Sequence, residues 1–79
     1  MLDNHNFGNK YLEFESPENI RRELYSDYEF KNWLRTFGTE SLAIQLSNFE
    51  DSQMYEDCII IKKILQSKIN EITITYFEL

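Results

Sequence analysis

Seventy-nine residues make one domain, and a chain of that length buries only about 60% of its unfolded surface, so its stability is small and a partner or second copy would add to it. Hydrophobic residues at 42% and aromatics at 15% argue against disorder, while two glycines and one proline favour long regular elements over a loop-rich scaffold. Fourteen acids against eight bases give a formal charge of −6, which disfavours direct binding of nucleic acid or an anionic membrane, because phosphate contacts need clustered Lys and Arg.

In chain order, residues 1–10 read as a flexible lead-in, and residues 11–79 as a single small domain. Tyr11-Leu12-Glu13-Phe14-Glu15 alternates partly and predicts a short strand. Ser16-Pro17-Glu18 is a helix start: a serine to cap free amides, a proline suited to the first helical position and an acid for the positive helix end. Ile20, Leu24 and Tyr28 then recur every four residues. Ser26-Asp27-Tyr28-Glu29 has capping-box spacing, so the helix breaks and restarts there. The restart places Phe30, Trp33, Leu34 and Phe37 on one face, with Gly38 as the residue after its end. Core packing is the expected role of this aromatic stripe, and a binding groove its functional alternative.

Thr39 can cap a further helix carrying Leu42, Ala43, Leu46 and Phe49. After a polar turn, with Asp51 or Ser52 as a new cap, the last helix carries Met54, Cys58, Ile61, Leu65 and Ile69. These two helices predict an antiparallel hairpin. From Glu71 to Phe77 the period changes to two, with β-branched and aromatic residues alternating at Ile72, Ile74 and Tyr76, which predicts a strand. A lone strand is unstable, so it must pair with Tyr11–Phe14, with a second copy in a homodimer, or with a partner's sheet edge. The expected fold is α+β, mainly α, with three or four short amphipathic helices and a C-terminal strand.

Chemistry is sparse. His5 and Cys58 are single, and no CxxC or HxxxH spacing offers a metal site, so no metal, cofactor or catalytic residue is expected. The segment Asn48 to Asp57 lacks the glycine of a calcium loop, and Gly8 and Gly38 stand alone, which excludes a phosphate loop. Cys58 on an apolar helix face reads as core. One cysteine cannot form an internal disulfide, which points to a reducing cytoplasm. The polar Met1–Asn6 start shows no signal peptide, and no apolar run approaches a membrane span.

Phe49-Glu50-Asp51-Ser52-Gln53-Met54-Tyr55-Glu56-Asp57-Cys58-Ile59-Ile60-Ile61-Lys62-Lys63-Ile64-Leu65 resembles the UVR-type motif of bacterial excision-repair proteins and of some protein-quality-control regulators. Tyr55-Glu56 matches its leading pair, Cys58 a small position, Ile61 an aliphatic one and Lys62 the basic one. Ile59 departs from a second small position and Lys63 from an acid, which argues against a close-packed partner hairpin of the family's kind. The resemblance spans residues 41–66 and implies protein–protein contact without catalysis. Gln45-Leu46-Ser47-Asn48-Phe49 also resembles the peptide that docks on bacterial sliding clamps, although that peptide is extended and this one falls within an expected helix.

The expected function is therefore a non-catalytic adapter or regulator binding another protein with a basic surface. The expected contacts are the acidic turn of Glu50, Asp51, Glu56 and Asp57 with Tyr55 beside it, and the strand edge at Ile74 and Tyr76. The alternative is a phage or mobile-element inhibitor that mimics nucleic-acid charge.

Overall fold

Helix-start chemistry at residues 16–18 places the first helix where the sequence predicts it. The computed structural model describes Leu12 to Glu78, with side chains described as far as Ile72. Expectations for residues 1–11, the lead-in and Tyr11 among them, lie outside the described residues. Helix α1 is Pro17–Glu23, and the Asn19 amide donates to Ser16 Oγ at 3.2 Å. Helix α2 is Asp27–Leu34, where the Glu29 amide donates to Ser26 Oγ at 3.1 Å, so each restart is capped by its own serine.

Helix α3 is Thr39–Asp51 and helix α4 is Tyr55–Glu78. The turn between them follows from hydrogen bonding. The Gln53 amide donates to the Glu50 carbonyl at 2.9 Å and the Met54 amide to the Phe49 carbonyl at 3.0 Å, with Gln53 at φ 61°. This pair of bonds is a Schellman closure, which satisfies the last carbonyls of α3 and reverses the chain into α4. The hairpin is as expected, and α4 packs along α3 and, less extensively, α2.

The core gathers one residue or more from every element: Leu12, Ile20, Leu24, Phe30, Trp33, Leu34, Leu42, Phe49, Cys58, Ile61 and Ile64. The expected aromatic stripe is at its centre. Phe30 meets Phe49 at 5.5 Å between ring centroids, and Trp33 meets partly buried Phe37 edge-on at 4.8 Å. Tyr28, expected to continue the Ile20–Leu24 stripe, is instead exposed. The chain leaves helical geometry from Leu24 to Ser26, and that break takes Tyr28 out of phase with Ile20.

The α+β expectation is corrected: the described residues form an all-helical fold with no strand. Leu12–Phe14, expected in a strand, make a short 3-10 turn, and residues 72–77, expected as the C-terminal strand, continue α4. The physical reason is cooperativity. A helix already nucleated at Tyr55 extends at one hydrogen bond per residue, whereas β preference is worth only about 1 kcal/mol and depends on a neighbouring strand. With no strand among the described residues, the expected pairing through the C-terminal strand, including the homodimer built on it, is overturned.

Candidate functional site

Within the acidic turn Asp57 is less exposed than the other acids. Arg21, reaching from α1, holds Asp57 Oδ2 at 3.4 Å, and the Asp57 side chain is only 13% exposed. Burial pushes the Asp57 carboxyl above its usual range; the Arg21 guanidinium pulls it back, while Asp27 and Glu56 push it further up. Glu50 stands 4.0 Å from Lys62 across the hairpin. Glu50, Asp51, Tyr55 and Glu56 are exposed, whereas Asp57 is half-buried against Arg21. The backbone of Ile74 and Tyr76 lies in α4, while their side chains fall outside the described residues.

Two other sequence candidates face inward. Cys58 is 3% exposed, and burial, reinforced by the Glu50 carboxylate, raises its thiol pKa. Gln45 and Phe49, which end the clamp-peptide resemblance, are both buried within α3. Gln45 Nε2 donates to the Glu13 carbonyl at 3.2 Å, tying the 3-10 turn to α3, while its Oε1 has no hydrogen-bond partner among the described residues.

The feature that sequence reasoning missed lies between α2 and α4. A groove of about 580 Å³ is lined by Lys31 and Arg35 from the α2 side and by Lys63 and Lys68 from α4. These are four of the eight basic residues of the chain, and Glu71 is the one acid in the lining. Its apolar lining is Ile60 and buried Ile64, with Ile59 at the edge, 53% exposed. The ion pairs among the described residues use Arg21 and Lys62 instead. Lys68 has a structural bond: its Nζ donates to the Arg35 carbonyl at 3.1 Å, placing a cation at the C-terminal end of α2.

Each half of this groove has a trace in the sequence. Lys31 on α2 and Arg35, the residue just past its end, are four apart, a like-charge spacing that costs a few tenths of a kcal/mol in an isolated helix. Ile59, Ile60, Lys63, Ile64, Ser67 and Lys68 repeat along one side of α4. The missing information was that the α2–α4 packing sets the two halves face to face.

A second hollow, about 350 Å³, lies between α3 and α4 and includes Ala43, Leu65, Ile69 and Ile72. Thirteen residues of α3 span about 20 Å against about 36 Å for the twenty-four of α4, so α3 cannot cover the whole of its partner. Among the described residues no helix is long and apolar enough to cross a membrane. Neither a family model, nor a curated protein, nor a solved structure matches this chain.

Proposed function

We propose that the protein is a non-catalytic protein-binding module, an adapter or regulator, whose docking surface is the α2–α4 groove. One observation carries the reading: four cations line one groove together with three isoleucines in a chain of net charge −6. With fourteen acids available, a solvated surface would intersperse the two signs. Holding like charges together opposes folding slightly, and such a local conflict is expected where a surface serves binding. The exposed Ile59 supplies the apolar contact that interface centres use, and the lysines supply a polar rim. The UVR resemblance of residues 41–66 points to the same class of function. The division of the turn acids between Arg21, Lys62 and solvent favours this reading over charge mimicry, which needs acids aligned on one face.

The test is site-specific photo-crosslinking in the source cells, with the reactive residue placed at Ile59 or, as a control, at exposed Glu18 on α1. The reading predicts a discrete protein adduct from position 59, lost when Lys63→Glu is added, and none from position 18. Adducts from a reactive residue at Tyr55, with none from position 59, would move the docking site to the acidic turn.

A further inference from the structure

We infer that the groove takes an acidic amphipathic helix, an inference that rests on the docking role proposed above. The charge of the occupant follows from the rim. Lys31 and Arg35 on one wall and Lys63 and Lys68 on the other face a single carboxylate, Glu71, so a ligand bearing several carboxylates meets complementary charge on both sides. Its apolar side follows from Ile59, Ile60 and Ile64, which leave an aliphatic strip between those cations.

The helical form follows from backbone chemistry. Both walls are helices, whose interior amides and carbonyls are already bonded within their own turns. An extended peptide would find no ladder of free backbone partners there, and any part of it shielded from water would carry unpaired polar groups. A helix satisfies its own backbone and presents side chains at i, i+3 or i+4 and i+7, the mode by which amphipathic helices fill grooves. From Ile59 to Glu71 the groove follows α4 for about 18 Å, room for roughly three turns of a third helix.

The net charge of the chain argues against the other anionic occupants. Charges farther than about 8 Å are screened at physiological salt, so a short peptide senses mainly the four groove cations. A nucleic acid or a vesicle surface extends beyond the groove and meets the rest of a chain whose net charge is −6.

A displayed library of random peptides of about sixteen residues, selected on the full chain, tests the inference without presupposing a sequence. The expected winners are net negative, with apolar residues at helical spacing. Their affinity should fall about tenfold when their acids become amides, and again with Lys31→Glu or Lys63→Glu, two variants whose folding is checked by circular dichroism. Neutral or basic winners would overturn the inference, as would acidic winners indifferent to both variants. Equal or tighter binding of a thymidine 12-mer or of vesicles containing phosphatidylserine would overturn it in favour of a polyanion. Crosslinking from Ile59 separates the two levels of failure. Adducts there with non-acidic winners leave the docking surface standing and remove only this partner class, whereas no adducts remove the docking surface as well.

Discussion

Arg21 and Asp57, thirty-six positions apart in sequence, form the ion pair that ties the first helix to the start of the last, at 3.4 Å with 18% and 13% of their side chains exposed. The same guanidinium reaches Asp27 at 2.6 Å, donates to the Leu24 carbonyl at 3.0 Å and lies over the Phe30 ring at 4.4 Å. One side chain therefore joins α1, α2, the break between them and α4. The carboxylate of Asp57, a docking residue by sequence, acts here in structure.

Removing Arg21 is expected to cost more than removing the charge of Asp57. Arg21→Met leaves a partly buried carboxylate without its cation and the Leu24 carbonyl without this donor, an expected loss of about 1–3 kcal/mol. Asp57→Asn keeps an oxygen that can accept from Arg21 and leaves the Asp27 pair intact, so its cost should stay below about 1 kcal/mol. Urea denaturation of both variants decides the point. Equal losses would mean that Asp57, and not the wider set of Arg21 contacts, governs the joint.

Asp57 should also give the fold a specific pH dependence. Burial raises its folded pKa above the unfolded value despite Arg21, so between the two values the folded protein holds a proton that the unfolded chain has released. Its favourable contribution is present at acid pH and is lost as pH rises through the folded pKa. Asp57→Asn cannot titrate. The stability of wild type relative to Asp57→Asn should therefore improve as pH falls from about 7 towards about 4. Thermal melts of the pair across that range measure it, and a difference that moves the other way would show the Arg21 attraction outweighing burial.

The helices and most of the core were legible because their signals are local. Ser16 and Ser26 cap as their spacing predicts, and Phe30, Leu42, Phe49, Cys58 and Ile61 are buried as their periodicity predicts. The misreadings come from context. Ile72, Ile74 and Tyr76 alternate like a strand, but a helix already under way and the absence of a strand neighbour among the described residues outweigh that pattern. The burial of Gln45 depends on the 3-10 turn, which supplies a carbonyl thirty-two positions away. The groove was illegible for the same reason: Lys31 and Lys63 become neighbours across it only through helix packing.

Two helix ends leave room for improvement. Gln53 holds φ 61°, a conformation that penalises a side chain, and it is exposed. Gln53→Gly should stabilise the protein by about 0.5–1 kcal/mol, since glycine adopts that conformation without a Cβ clash. Gly38, expected at the end of α2, is instead the N-cap of α3 at φ −80° and ψ 179°, with no side chain to bond the first amides. A Cβ there meets nothing within 4 Å, so Gly38→Asp should add a few tenths of a kcal/mol through the missing cap. Denaturant midpoints should rise for both variants. A fall for Gln53→Gly would show that loss of backbone entropy exceeds the relieved strain.

Lys63 and Lys68 line the same groove, yet their replacement should separate folding from docking. Lys68 Nζ donates to the Arg35 carbonyl, so it joins α4 to the end of α2 and meets the negative end of that helix. Lys63 is exposed, and no hydrogen bond or ion pair among the described residues uses it. Lys68→Met should therefore lower stability by about 0.5–1 kcal/mol, the range of a solvent-accessible charged bond at a helix end, and should weaken peptide binding partly by loosening α2. Lys63→Met should leave stability within about 0.5 kcal/mol of wild type and slow peptide association at low salt, because a rim charge acts mainly on the encounter rate. Denaturation curves read the first effect and stopped-flow association the second. If Lys63→Met unfolds the protein as readily as Lys68→Met, the groove cations are structural as a set; if neither changes association, the rim does not steer a partner.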